Sequence, residues 1–236
     1  MDLGEKIDET KAKELVAEFL NNETNVEKAT DDDGVIPCYV FESNTTQDSK
    51  ETYYRIKISK EGGHVIQVVS NRDIAEQKLS LKEAQAKAKD FLEKNGFENM
   101  SENYYETYGN KTVFNFVYEQ NNVIIYPDLV KVQVALDNGE IVGFEASTYY
   151  MRHYDRDIPA AKVTMQQAQK SVSSSLELTS KKLAVIPLDG GSEVLCYEFK
   201  GKTKDDEWYI VYINADTGKQ QQILKIIEAN ESVLTL

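Results

Sequence analysis

Cysteine, histidine and arginine are scarce in this 236-residue chain, which has two Cys, two His and only four Arg, namely Arg55, Arg72, Arg152 and Arg156. Two cysteines cannot build a disulfide framework. His64 and His153 belong to no H-E-x-x-H pattern, and no G-x-S-x-G, Walker loop or C-x-x-C occurs. Positive charge is also in deficit: 27 Lys+Arg stand against 40 Asp+Glu, a formal −13. That balance argues against binding nucleic acid through phosphates, which needs clustered basic residues, and so few arginines leave forked phosphate recognition poorly supplied. No apolar run approaches the ~20 residues that span a bilayer, and Met1-Asp2-Leu3-Gly4-Glu5-Lys6 is no signal peptide. What is present is 41% hydrophobic and 10% aromatic residues, enough for packed cores and too many for a disordered acidic tail. The expectation is a soluble, acidic, globular chain, of one or two domains at ~150 residues each.

Internal repetition changes that count. Three segments carry apolar residues at helical spacing: Ala12, Leu15, Val16, Phe19 and Leu20; Leu81, Ala84, Ala88, Phe91 and Leu92; and, more weakly, Met165, Ala168, Val172 and Leu176. The second and third open with capping boxes, Ser80-x-x-Glu83 and Thr164-x-x-Gln167, and Asp8 is the matching N-cap of the first. Each helix is followed by alternating β-branched and aromatic strands. The first set is 36–42, 52–59 and 65–70; the second is 112–119, 129–136 and 141–145; the third is 193–199, 208–213 and 220–225. Gly-bearing turns join the last two strands of each set, and aligning Gly63, Gly139 and Gly218 gives spacings of 76 and 79 residues. Cys38-Tyr39-Val40-Phe41 then aligns with Val113-Phe114-Asn115-Phe116 and Cys196-Tyr197-Glu198-Phe199. The expected fold is α+β, as three tandem modules over 1–78, 79–158 and 159–236, each a helix packed on a small antiparallel sheet. Linkers are expected near Asn71–Leu79 and Tyr154–Lys162. The modules carry −7, −5 and −1, so an electrostatic partner surface is expected on the first two.

Chemistry-bearing constellations are few. Cys38 and Cys196 are expected to be small core residues. Asp31-Asp32-Asp33-Gly34 fails the EF-hand pattern, with glycine fourth rather than sixth, and is expected to be a solvated loop rather than a metal site. His64 is expected to be an exposed residue beside a hairpin turn, and Asp137 and Asp216 to be turn formers. No catalytic residue, metal site or cofactor is expected. The segment from Thr148 to Arg156 concentrates three Tyr, two Arg and one His. Tyr149, Tyr150, His153, Tyr154 and Arg156 are therefore candidates for a partner interface, where Tyr and Arg are enriched. The alternative is the end of a strand and an interdomain joint, with the aromatics packing module two on module three.

Each module resembles a PepSY domain. More specifically, the string from Tyr126 to Phe144, Glu193-Val194-Leu195-Cys196-Tyr197-Glu198-Phe199 and Tyr212-Ile213-Asn214-Ala215-Asp216-Thr217-Gly218 resemble the YpeB-type spore germination family, most strongly over 79–223. The resemblance implies a non-enzymatic role, an N-terminal transmembrane anchor not found in these residues, and a place at the spore inner membrane. It also implies mutual dependence with a SleB-type cortex-lytic peptidoglycan hydrolase, held stable or in check. PepSY modules occur in protease propeptides as well, which makes a protease-inhibitor module the second expectation. A cortex glycan-binding domain or enzyme is the third, and an oligomer is left open.

Overall fold

The computed structural model describes residues 3–20, 25–47, 50–229 and 232–235. Met1 and Asp2, where the sequence was read for a leader, lie outside the described residues. Strands dominate, with four short helices among the described residues. In chain order the elements are α1 (Glu9–Phe19), β1 (Val26–Asp32), β2 (Cys38–Gln47), β3 (Lys50–Ser59), β4 (Val65–Ser70), α2 (Leu81–Lys94), β5 (Met100–Tyr108), β6 (Lys111–Gln120), β7 (Val123–Ala135) and β8 (Ile141–Glu145). They continue with α3 (Ser147–Arg152), α4 (Met165–Gln169), β9 (Glu177–Pro187), β10 (Glu193–Lys202), β11 (Trp208–Asn214), β12 (Gln220–Ala229) and β13 (Ser232–Thr235).

The helix starts form where capping chemistry dictates. Asp8 accepts from the Lys11 amide, and both capping boxes are made in full. Ala12, Ala84 and Ala168 are each fully buried. The missing side-chain bulk lets each helix backbone approach its sheet. The third helix stops at Gln169, short of the expected Val172 and Leu176. Serine chemistry ends it: Ser171 Oγ donates to the Gly218 carbonyl, and Ser173 Oγ accepts from the Ser175 amide. Such local side-chain bonds offer the backbone an alternative to continuing the helix.

Equivalent details recur around the three turns. Gly63, Gly139 and Gly218 have φ of 67°, 81° and 69°, which L side chains adopt only with strain. Each hairpin carries a register shift five residues before its glycine, at Ile58, Val134 and Ile213. The residue preceding each N-cap, Ile7, Leu79 and Val163, donates its amide to the carbonyl three before that glycine, on Lys60, Leu136 and Ala215, at 2.9, 2.8 and 3.0 Å. Phe41, Phe116 and Phe199, aligned on the second strand of each repeat, are all fully buried. Each repeat also contains a strand that sequence patterning does not reveal, β1, β5 and β9. Their burial patterns lack clean alternation.

The strands divide between two compact units, 1–96 with 107–115 and 130–153, and 97–106 with 116–129 and 154–236. The first unit orders its strands β1-β2-β3-β4-β8-β7-β6-β5, with β4 antiparallel to β8 through Gln67–Val69 and Gly143–Glu145. The second runs β7-β6-β5-β13-β12-β11-β10-β9, and β9 returns to β7 through a parallel pairing of Val123–Ile125 with Leu183–Val185. Strands β5, β6 and β7 contribute residues to both units, so the second repeat does not stand as a small sheet of its own. The reason lies in β7. It begins at Val123 rather than the expected Leu129, because Val123-Ile124-Ile125 extends the apolar run across Pro127 and buried Asp128. A strand buried along most of its length on both faces needs cover on both sides.

Two apolar clusters build the second unit. Ala168 of α4 packs with Leu195, Tyr197, Phe199, Val211 and Ile213 on one side of the strands. Cys196, Ile186, Ile210, Tyr212, Val117 and Ile226 form the other cluster, inside the ring of eight strands. The alternation of β10 therefore sends Cys196 and Glu198 inward, while Tyr197 and Phe199 face α4.

Candidate functional site

The segment from Ser147 to Arg152 is a helix, α3, and not the end of a strand. Tyr150 of this helix packs on the first repeat within the first unit. Tyr150 lies against the cluster of Ile36, Cys38 and Ile66, with its ring 4.9 Å from that of His64. Tyr149 stacks on His153 at 4.3 Å and meets Tyr150 edge-on. Burial, and then the neighbouring Tyr149, push the Tyr150 phenol well above its ordinary range. His64 is half-buried rather than exposed; its Nε2 donates to the Leu3 carbonyl at 2.9 Å.

The boundary between the two units falls after His153, so Tyr154 and Arg156 belong to the second unit. Tyr154 is 56% exposed, and Arg156 is buried at 7%. The Arg156 guanidinium donates twice to Asp128, at 2.8 and 2.9 Å, and twice to Glu193, at 2.8 and 2.9 Å. It also donates to the Tyr154 carbonyl, while the Tyr154 ring covers it at 4.3 Å. The Gln120 amide group clamps the Arg156 backbone on both sides. Burial works against the cation, but Glu193 and Asp128 outweigh it and raise its pKa. A fork with two carboxylates suits the planar guanidinium, which a lysine would not replace. Of the five candidates, then, Tyr149, Tyr150 and His153 lie in the first unit, while in the second Arg156 is buried and Tyr154 is exposed.

A second arginine fork lies in the first unit. Arg72 donates to both oxygens of Asp137 at 3.0 and 2.7 Å and pairs with Glu140 at 3.1 Å. Tyr54 donates to the same Glu140. Burial raises the Asp137 pKa, but the Arg72 hydrogen bond and charge outweigh it and hold the carboxyl below its ordinary 3.8. Asp137 is thus more than a turn former. The signal for both forks was in the sequence: Arg72-Asp73-Ile74 and Arg156-Asp157-Ile158 each place arginine eight residues before an N-cap, Ser80 and Thr164. Their partners Asp128, Asp137, Glu140 and Glu193 carry no comparable signature.

Other reactive groups are committed to the fold. Burial pushes the Cys38 thiol up to about 11 and the Cys196 thiol to about 12, so neither is a thiolate nucleophile near neutrality. Asp31 pairs with Lys28 and Lys60, Asp32 with Lys57, and Asp33 with Lys60. Asp31 and Asp32 end strand β1 rather than lying in a loop. No group of three or more metal-ligating side chains occurs among the described residues, and no described helix is long and apolar enough to cross a membrane.

Comparisons with known proteins identify the family. A family model described as YpeB sporulation, PepSY1 and PepSY2 domains matches residues 2–159, and one described as peptidase propeptide and YPEB domain matches 162–226. The sporulation protein YpeB of Halalkalibacterium halodurans is 38% identical over 226 residues, 95% of this chain and 50% of that protein. Its Bacillus subtilis counterpart is 31% identical over 228 residues, 96% of this chain and 50% of that one. The chain spans about half the length of these curated relatives. Among solved structures, the C-terminal domain of Bacillus megaterium YpeB matches with a TM-score of 0.83 at 33% identity, over 95% of this chain and 100% of that one. PepSY domains of this kind are regulatory or propeptide-type and do no chemistry of their own. The chain belongs to the YpeB family of sporulation proteins.

Proposed function

We propose that the chain is a non-enzymatic regulator in spore germination, stabilising or restraining a SleB-type cortex-lytic hydrolase through protein–protein contacts. The observation that carries this reading is the match to YpeB-type sporulation domains from residue 2 to residue 226. The commitment of both thiols and of both arginine forks to internal structure fits it, since those groups serve the fold rather than a reaction. In the same reading the residues form three repeats over 1–78, 79–158 and 159–236, supported by the recurrent hydrogen bonds before each N-cap. The whole protein would be anchored at the spore inner membrane by a segment outside these residues. Tyr149, Tyr150 and His153 in the first unit, and Tyr154 held by Arg156 in the second, would contribute contacts to the partner.

Co-purification tests the reading. The full-length anchored protein is expected to retain the hydrolase, and its deletion to change the hydrolase's survival or activity in dormant spores. If neither the chain nor the full-length protein affects the hydrolase, the reading fails.

A second reading is favoured by the propeptide description of the match over 162–226. It makes the third repeat a protease inhibitor. It predicts inhibition of a spore protease in a cleavage assay with no dependence on the cortex-lytic enzyme.

A further inference from the structure

The ring of eight strands in the second unit encloses one buried carboxylate that the arginine forks do not use. Glu198 is 4% exposed, and β10 directs it inward beside Cys196. Tyr126 Oη donates to its Oε2 at 2.5 Å, and Tyr212 stands opposite it in the β10–β11 ladder. The two tyrosine rings meet edge-on at 6.1 Å. No ion pair to Glu198 occurs among the described residues, although Lys182 opposes it in the β9–β10 ladder with an exposed side chain. A charge so placed is expensive unless something cationic or strongly hydrogen-bonding answers it.

A cavity of about 280 Å³ opens beside this pair. Tyr126 and Tyr212 line it together with apolar Val117, Leu129, Ile186 and Leu224. Eight-stranded rings have interiors just wide enough for their own side chains or one small ligand. The volume is at the low end for ligand pockets and suits a single side chain rather than a larger molecule. A group entering would meet an apolar wall, the amides of Asn103 and Gln222, two aromatic rings, and the Tyr126 hydroxyl, whose proton points at Glu198 behind it. Burial and the nearby Glu198 drive both phenol pKa values upward, so the hydroxyls stay protonated.

We infer that this cavity binds an alkylammonium group, as the side chain of a lysine from a protein partner, its methylenes on Val117, Leu129, Ile186 and Leu224 and its ammonium over Tyr126 and Tyr212, with Glu198 behind the Tyr126 hydroxyl. Ring faces attract cations, more strongly where water is excluded, and a long amphipathic stem covers apolar surface while its head finds charge. Naming a protein as the source of that lysine rests on the partner-binding reading above. The preference of the cavity for an alkylammonium does not.

The test uses the whole chain with n-butylamine, n-butanol and butyrate as probes, followed through the ring signals of labelled tyrosines. Butylamine is expected to shift the Tyr126 and Tyr212 signals saturably and to bind about tenfold more tightly than butanol, with butyrate not binding. Glu198→Gln should abolish that discrimination while butanol binding persists, and Tyr126→Phe, which keeps the ring, should reduce it if the first variant fails to fold. An acetylated lysine amide should bind, and its Nε-acetyl form should not. Equal binding of amine and alcohol, or no localised shift with any probe, overturns the cavity's preference. Binding of butylamine without the lysine amide overturns the docking of a lysine. Neither result depends on the hydrolase, so failure here and failure of co-purification are separable.

Discussion

Arg72 and Arg156 occupy the same place in two successive repeats, eight residues before an N-cap and inside the same Arg-Asp-Ile triplet, yet they do different work. In the first unit Arg72 reaches the turn of the repeat that follows it, Asp137, with side chains 14% and 20% exposed. In the second unit the corresponding turn residue, Asp216, pairs instead with Lys162 at the surface. Arg156 turns to Asp128 and Glu193, with side chains 5%, 0% and 18% exposed. A short motif therefore fixes which residue supplies the cation and where the chain carries it. The burial of its partners decides how much depends on it.

The largest effect should come from Asp128→Ala, which removes the fully buried half of the fork, leaves the Arg156 charge with Glu193 alone, and is expected to cost about 3–5 kcal/mol. Urea unfolding checks it, and a loss under about 1 kcal/mol would erase the contrast between the units. Arg72→Ala should cost less, about 1.5–3 kcal/mol, as charge-assisted hydrogen bonds in a half-wet site are worth less than a buried fork. A cost equal to that of Asp128→Ala would break the comparison from the other side.

Acid titration sharpens it further. The Asp137 carboxyl is held below its ordinary 3.8 in the folded chain. A lowered folded pKa contributes stability above the unfolded value that is lost as pH falls through the folded one. Asp137→Asn should therefore reduce stability at neutral pH and flatten the stability profile below about pH 3.8, read by thermal melts from pH 6 to 2. The smallest effect is expected from Tyr154→Ala, about 0.5–1 kcal/mol through the lost cation–π contact. Its consequence for partner binding should exceed its consequence for folding.

Helix starts, hairpin turns and second strands were legible in the sequence because local chemistry determines them. Asp8, Ser80 and Thr164 cap as their side chains dictate, and Gly63, Gly139 and Gly218 take the positive φ their turns demand. The opening strands β1, β5 and β9 were not legible, since their pairing partners supply the order that their own alternation lacks. Pro127 and Asp128 hid the first half of β7, because a buried aspartate inside a strand makes sense only once Arg156 is beside it. The segment from Thr148 to Arg156 was unusual by composition, but composition could not separate exposed Tyr154 from buried Arg156. Glu198 reads as a surface glutamate until the ring of strands turns it inward.

In the function proposed above, the chain would act by being folded and held against a partner, not by chemistry. Its most direct test compares SleB-type hydrolase in dormant spores whose full-length protein carries either Asp128→Ala or the pair Cys38→Ala and Cys196→Ala. The hydrolase is expected to be lost or released from control with Asp128→Ala and to behave normally with the thiol-free pair. Normal hydrolase with an Asp128→Ala variant whose stability has dropped as expected, or its loss with a thiol-free variant that melts like the parent, would contradict this reading.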